Sequence, residues 1–311
     1  MTPSLPGLFD APRRRALEGF RSIVSGSAET PDWVRDLHNG DDEGYFGPGS
    51  AVWAVHGNLA TLVGGVRALL VQALHPVAVT GVDEHSTYRD DPLGRLAGTT
   101  RWLTVTTFGS RAAADRECAR VRGMHRRVRG TYVGPDGRET RYRAGDDRLL
   151  GWVHAAFTES FLVAHETFAG PVPGGADRYV REWATAGELV GLRRAPRSVA
   201  ELRALVDGYR PELAHAAVTA RTVDFLRTPP LPGPAAVGYQ VLFAAAVSTL
   251  TDEQQRLLGL PPAGRTVPRL AASALLRGLR VTLGEGPPAE AAARRRIDRL
   301  DDDPRQDRLA E

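Results

Sequence analysis

The segment Arg122–Gly130 (RGMHRRVRG) places one histidine among four arginines. Two kinds of chemistry use such a combination. A row of arginines can contact a nucleic-acid backbone, whereas an imidazole flanked by guanidiniums suits a ligand that carries acidic groups. The arrangement of these side chains on the secondary structure distinguishes the two.

Residues 110–129 are predicted to form a helix with an apolar seam. The seam recurs at steps of four, three, four and three residues, namely Ala114, Cys118, Val121, His125 and Val128. His125 therefore lies in the seam, and Arg122 and Arg129 flank it on the same side. A helix that binds nucleic acid would instead expose its arginines and turn the seam away from them.

An inward imidazole between two arginines fits haem. The iron binds an imidazole, the porphyrin needs apolar walls, and its two propionates pair with arginines. A core histidine satisfied by a backbone carbonyl, with Arg122 and Arg129 paired to surface acids, fits the same pattern. The spacing alone leaves both interpretations open.

Three further positions are candidates for chemistry. Arg95 and Thr99 are one helical turn apart and could hydrogen-bond a ligand oxygen together, or Arg95 could pair with Asp90 or Asp91. His75 ends an apolar helix before Pro76, where it could cap the helix C-terminus or face a pocket. His154 lies in another apolar seam and competes with His125 as a metal ligand.

Composition excludes several classes of site. All 40 basic residues are arginine, so no lysine can form a Schiff base or bind phosphate in a P-loop. The single cysteine, Cys118, rules out an internal disulfide and a cysteine-rich metal centre. The net charge of +3 is close to balance, which argues against nucleic-acid binding. No apolar run near the N-terminus is long enough for a signal peptide, so we expect a cytoplasmic protein.

The chain reads as an all-α protein, a single large helical bundle with one short β-hairpin near residues 131–142, where a Pro-Asp-Gly turn separates two β-prone runs. Ser50, which follows a turn and precedes an apolar run, is predicted to cap a helix. We expect an N-terminal extension over residues 1–44, a helical domain over 45–288, and a charged, disordered tail over 289–311. The uncharged segment 231–250 approaches membrane-spanning length but contains Gly, Pro, Tyr and Gln. A buried helix is the favoured interpretation, and a membrane contact is the alternative.

Taken in order, the motifs resemble those of the MpaB-type oxygenases, a family that includes the latex-clearing rubber oxygenases. The resemblance covers roughly residues 45–260. Its signposts, in chain order, are Gly47-Pro48-x-Ser50-x-x-Trp53, Gln72-Ala73-Leu74-His75-Pro76, Asp91-Pro92-x-x-Arg95-x-x-x-Thr99, Thr107-Phe108-Gly109, His125-x-x-Val128-Arg129-Gly130 and Trp152-x-His154.

This resemblance implies an all-helical fold with a globin-like core, b-type haem and the use of O2. It implies that His125 is the axial iron ligand and that Arg95 and Thr99 line the distal pocket. One departure matters. The rubber oxygenases have a lysine directly before that threonine, and this chain has Gly98. Cleavage of a polymer is therefore not expected to carry over.

Together these observations predict a haem b-dependent oxygenase or oxidase that uses O2 on a small, mainly apolar substrate. His125 would bind the iron, Arg122 and Arg129 the propionates, and His75 or His154 would serve as acid or base with a near-neutral pKa. The alternative is a haem or apolar-ligand binding protein without turnover, such as a sensor or carrier. A helical protein without any cofactor is a third possibility.

Overall fold

The computed structural model describes residues 29–134, 136–231, 233–284 and 286–302, which form helices and one two-stranded hairpin. The all-α prediction is confirmed. The described helices are α1 Asp32–Arg35, α2 Ala51–His56, α3 Thr61–Gln72, α4 Pro76–His85, α5 Pro92–Phe108, α6 Arg111–His125, α7 Asp147–Phe168, α8 Ala176–Leu189, α9 Val199–Asp207, α10 Ala217–Arg227, α11 Gly233–Ser248, α12 Asp252–Leu257, α13 Thr266–Leu283 and α14 Pro288–Asp301. Short 3₁₀ turns cover Asp36–His38 and Arg210–Glu212.

Side-chain caps fix where several helices begin. Ser50 accepts a hydrogen bond from the Trp53 backbone N–H, as its position before an apolar run predicted. Ser110 caps α6 in the same way, and Asp91 caps α5 through the Gly94 N–H. These caps set the start of the two helices that carry Arg95 and His125.

The helix that carries His125 is shorter than the sequence predicted. α6 ends at His125, and strand β1 (Arg129–Val133) begins four residues later. Strand β1 pairs antiparallel with β2 (Glu139–Arg143), so the predicted hairpin is confirmed. Because β pairing takes over at Arg129, this arginine lies on a strand, and its expected place on the same helical face as His125 is wrong.

The core is organised around two groups of buried side chains. One joins α3, α7 and α11, and the other joins α2, α5, α8 and α14. α3 and α7 approach closely at Gly64, where a Cβ atom would lie 2.7 Å from the Phe161 ring. Helix α7 contributes buried side chains to both groups, with Trp152 in the first and Phe161 in the second.

The C-terminal region corrects one expectation. Residues 289–301, predicted to belong to a disordered tail, lie in helix α14 (Pro288–Asp301), which buries Ala289, Ala292, Ala293 and Ile297. Its Arg296 is fully buried and donates to the backbone carbonyls of Leu37, Asp42, Glu43 and Phe108. Because this segment is rich in charged residues, its composition does not reveal the apolar stripe on one face of the helix. Residues 303–311 lie outside the described part.

The uncharged segment 231–250 forms α11, which packs against α3 and α13. Phe243 and Val247 are buried, whereas Val237 is 69% exposed. In the part of the chain that the structure describes, no single helix is long and apolar enough to cross a membrane. Helices α3 and α4 meet those criteria only as a pair, and they are bent by 106° relative to each other.

Candidate functional site

Helices α5 and α6 run antiparallel and carry the main candidate residues on facing stripes. Thr99, Trp102 and Thr106 follow Arg95 at helical spacing on α5. Near the turn that joins the helices, the hydroxyl oxygen of Thr106 lies 3.7 Å from the Cys118 sulfur. Arg95 and His125 therefore lie at the opposite, outer end of the same interface.

The apolar seam predicted on α6 is confirmed, because Ala114, Cys118 and Val121 are buried. His125 continues this seam at the last residue of the helix and is partly buried. Its Nδ1 atom is buried and has no hydrogen-bond partner among the described residues. The sequence left open the alternative that His125 is hydrogen-bonded to a backbone carbonyl. That alternative does not account for this ring nitrogen.

Electrostatics keep the His125 imidazole neutral. Burial lowers the pKa of His125, and the nearby Arg95 guanidinium lowers it further. A neutral imidazole is the form that binds metals. His125 thus combines a lowered pKa with a ring nitrogen that is free to form a bond.

Arg95 is the second unusual group. Its Nη1 donates to the Thr99 hydroxyl at 3.2 Å, and no carboxylate of the described residues forms an ion pair with it. Asp91, which the sequence offered as a partner, instead caps α5. Burial lowers the pKa of Arg95, with a smaller effect from Arg120. A desolvated guanidinium without a carboxylate favours an anionic or strongly accepting ligand.

The two arginines proposed to neutralise propionates are placed differently from each other. Arg122 donates to the Leu189 backbone carbonyl at the end of α8, and its side chain lies against Gly191. Arg129 is exposed at the start of β1, directly opposite Arg143. Only Arg122 remains on the His125 helix, and one of its five N–H donors already has a partner.

His75 is nearly fully buried, away from the α5–α6 interface. It is the N-cap of α4 and accepts from the Ala78 N–H, so the predicted role at a helix C-terminus is wrong: α3 already ends at Gln72. Its Nε2 donates to Glu212 at 3.1 Å, and Arg148 holds the same carboxylate. Burial lowers the pKa of His75, while Glu212 opposes this shift.

His154 is a core residue between α7 and α8. A Cβ atom at Gly187 would lie 2.8 Å from its Nδ1, and the Thr158 hydroxyl lies 3.4 Å from its Nε2. Burial lowers the pKa of His154 to about 4. The near-neutral pKa expected of a general acid or base is therefore wrong for this residue, because the surroundings cannot hydrate the imidazolium.

His56, which lies in no distinctive sequence motif, occupies the centre of a buried polar and aromatic group. Its Nδ1 lies 2.9 Å from the Thr107 hydroxyl and its Nε2 lies 3.0 Å from the Tyr179 hydroxyl. Its ring also meets Trp183 edge to face, with centroids 4.3 Å apart. Because these partners are 51 to 127 residues away, local periodicity carries no signal of the group.

The donor set indicates which kind of metal site the residues suit. Among the described residues, no group of three or more His, Cys, Asp and Glu side chains could hold a metal ion together. A metal bound through His125 would need its other ligands from a macrocycle such as porphyrin. The unpartnered Nδ1 of His125 and the unpaired Arg95 fit such a group.

Comparison with known proteins identifies the family. Residues 53–298, well over half of the chain, match the family described as ER-bound oxygenase mpaB/B'/Rubber oxygenase, catalytic domain. The chain belongs to the mpaB/rubber oxygenase family. The matched range contains every candidate residue discussed above. No curated protein and no solved structure matches the chain.

Membership in the mpaB/rubber oxygenase family establishes the general activity. The matched domain is the catalytic domain of oxygenases, so this chain is of the oxygenase type, with O2 and an oxidisable substrate as its partners. The match also extends through most of α14, which agrees with the packing of that helix against the core.

Proposed function

We propose that the protein is a haem b-dependent oxygenase that uses O2 to oxidise a small, mainly apolar substrate. One observation carries this proposal. His125, whose buried Nδ1 has no hydrogen-bond partner among the described residues, ends the helix that packs against the helix of Arg95, and burial together with the charge of Arg95 lowers the pKa of His125. An imidazole can hold the iron of a haem, and a guanidinium that forms no ion pair with the described residues can donate hydrogen bonds to oxygen bound there.

His125 would hold the cofactor through its imidazole. Haem, when bound, supplies a redox-active iron that can bind and activate O2. Arg122 would contribute its remaining N–H donors to a propionate, and Arg129, exposed near the end of the same helix, would meet the second acidic group. The protein thus provides one ligand and two cations from a stretch of eight residues.

Arg95 and Thr99 would act on oxygen. The Arg95 guanidinium is already oriented by the Thr99 hydroxyl at 3.2 Å, so little reorganisation is needed when negative charge develops nearby. Partial burial of Arg95 strengthens this effect, because water screens its charge less than at the surface. The two residues would orient O2 and stabilise charge on it.

The side chains next to Arg95 and Thr99 favour an apolar substrate. Trp102, Leu103 and Phe157 are partly buried and extend the site beyond Thr99 towards the core. These side chains can exclude water and hold a hydrocarbon group, and the few polar groups near them can orient it. Gly98 has open space around its Cα, so no side chain of this residue restricts access.

The acid–base step would not use His154, whose pKa of about 4 leaves it neutral and unable to give up a proton near pH 7. His75 is hydrogen-bonded to Glu212, whose carboxylate also pairs with Arg148, away from the α5–α6 interface. Proton transfer beside Arg95 and Thr99 would instead depend on solvent or substrate. Since neither histidine serves as the acid or base there, the alternative function is that of a haem-binding sensor or carrier without turnover.

The cofactor is tested by expressing the protein with a haem precursor and recording its visible spectrum and pyridine haemochrome. We expect near-stoichiometric b-type haem, and we expect His125→Ala to lose it. His165→Ala is the matched control, because His165 also has a buried, unpartnered Nδ1 but lies on α7. Equal haem affinity in His125→Ala and the unsubstituted protein would refute the proposal.

Turnover is tested separately from binding. Substrate-dependent O2 uptake by the haem-loaded protein would support the oxygenase. A stable spectrum without uptake across a panel of apolar substrates would favour the binding protein. Arg95→Leu should lower O2 uptake while His125 retains the haem, since Arg95 is proposed to act on oxygen and not on the iron.

A further inference from the structure

A line of aromatic side chains leads from the candidate site into the core. Trp102 follows Thr99 by one helical turn on α5. Its ring lies 5.9 Å from the ring of Trp183 on α8, centroid to centroid. Trp183 in turn lies 4.3 Å from the ring of His56. These rings are close enough for direct contact at each step.

The inner end of the line is a hydrogen-bonded tyrosine and histidine. Tyr179 is fully buried, one turn before Trp183 on α8, and its hydroxyl lies 3.0 Å from His56 Nε2. His56 Nδ1 lies 2.9 Å from the Thr107 hydroxyl. If Nδ1–H donates to Thr107, Nε2 is free to accept the Tyr179 proton. The neutral form of His56 that this requires is enforced by burial, which lowers its pKa to about 3.

The two oxidisable residues on α8 differ in whether a neighbouring group can accept their proton. The Trp183 Nε1–H is buried and has no acceptor among the described residues. An oxidised Trp183 therefore keeps its proton and remains a strong oxidant. Tyr179 has an acceptor at hydrogen-bond distance, and an oxidised phenol is a much stronger acid than an imidazolium. Oxidation should therefore move from Trp183 to Tyr179 and stop there.

We propose that Trp102, Trp183 and the Tyr179–His56 pair form an internal electron relay to the α5–α6 site. A one-electron oxidant formed from O2 at that site takes an electron from Trp102. An electron from Trp183 then reduces Trp102, and an electron from Tyr179 reduces Trp183. The proton of Tyr179 passes to His56 Nε2, which leaves a neutral tyrosyl radical and an imidazolium. A small-molecule thiolate at the protein surface then returns one electron to Tyr179 by tunnelling, His56 Nε2 returns the proton, and two of the resulting thiyl radicals combine to form a disulfide.

In the oxygenase, the relay would protect the site by reducing a strong oxidant that finds no substrate. This role rests on the proposed function, but the relay itself can be tested without a cofactor. Gly98 is one turn before Trp102, and a Cβ atom there would meet nothing within 4 Å. The native Cys118 is fully buried. A Gly98→Cys substitution therefore gives a thiol beside Trp102 that can be labelled selectively with a ruthenium photo-oxidant.

Flash photolysis with an electron acceptor in solution then creates the oxidant at a known place. Transient absorption and electron paramagnetic resonance report the radical formed. We expect a tyrosyl signal in the labelled protein, with slower formation after exchange into D2O because a proton moves with the electron. Tyr179→Phe should lose the tyrosyl signal and leave a tryptophanyl signal. Trp183→Phe should lose both the tyrosyl signal and its isotope effect.

Trp152→Phe is the matched control, because Trp152 is equally buried but its ring contacts are His75 and Tyr209. It should keep the full tyrosyl signal. Trp102→Phe, at a partly buried position, tests the same route if Trp183→Phe does not fold by circular dichroism. A tyrosyl signal of unchanged yield in Tyr179→Phe, or in both tryptophan variants of the line, would overturn the relay.

Failure of the relay and failure of the haem proposal give different results. If Tyr179 is oxidised through the tryptophans but the protein takes up no haem, the electron pathway is supported and its proposed physiological oxidant is not. A haem-binding protein in which Tyr179 is never oxidised would retain the oxygenase proposal without the relay. A purely structural role for the His56 group predicts lower stability in its variants and no radical on Tyr179.

Discussion

Acidification from pH 7 to pH 5 should destabilise the protein through two buried histidines. Burial lowers the pKa of His56 to about 3, with a smaller effect from His165, and lowers the pKa of His154 to about 4. The pKa of histidine in an unfolded chain is about 6.5. Below that pH these histidines bind protons in the unfolded state but not in the folded state. The free energy of unfolding therefore falls as the pH falls.

The magnitude follows from the two pKa values. Between pH 7 and pH 5, each histidine removes about 2 kcal/mol from the free energy of unfolding, or about 4 kcal/mol together. The lowered pKa values of His75, His125 and His165 act in the same direction. The range stays above the pH at which most carboxylates of the unfolded chain bind protons, so histidines dominate it.

Urea unfolding followed by circular dichroism at several pH values measures this dependence. His154→Gln removes one titrating group and should reduce the slope of unfolding free energy against pH by about 1.4 kcal/mol per pH unit below pH 6. His38→Gln is the control, because His38 is exposed and water can hydrate its charged form. A slope that His154→Gln leaves unchanged would refute the assignment of the acid sensitivity to burial of this imidazole.

Four further predictions concern stability and are read from urea or thermal unfolding. Gly187→Ala should destabilise the protein by about 1–3 kcal/mol, because the new Cβ would lie 2.8 Å from the same buried imidazole. Gly65→Ala, with open space around a helical glycine, should instead stabilise it by about 0.5–1 kcal/mol. Arg143→Glu should stabilise the hairpin by up to about 1 kcal/mol, since Arg129 lies directly opposite, and added salt should remove the gain. Arg296→Met should cost about 3 kcal/mol or more, because it leaves four backbone carbonyls without their donor, and an unchanged midpoint would contradict that role.

Much of the candidate site could be predicted because it follows from local spacing. The apolar seam of α6 was visible at steps of three and four residues, and the turn between two β-prone runs predicted the hairpin. Arg95 and Thr99 are one turn apart, and the structure joins them by a hydrogen bond. Their role towards oxygen, like that of His125 towards iron, stays a prediction until the cofactor is measured.

Other features of the site could not be read from the linear pattern. The helix was extended to Arg129 because Val128 continues the apolar spacing, but pairing with β2 competes successfully for those residues. His154 and His75 carried the same signal as His125, an imidazole in an apolar context. Only their neighbours differ: Gly187 and Thr158 around His154, and Glu212 beside His75.

The sequence by itself determined the helical class, the hairpin, the cap at Ser50 and the stripe that holds His125, since each depends on contacts within one or two turns. The tertiary structure alone decided which imidazoles are desolvated, which arginines have partners, and which rings meet. His56 shows the reason most clearly. Its hydrogen-bond partners, Thr107 and Tyr179, are 51 and 123 residues away. Contacts across such distances depend on how α2, α5 and α8 pack, and no local pattern encodes that packing.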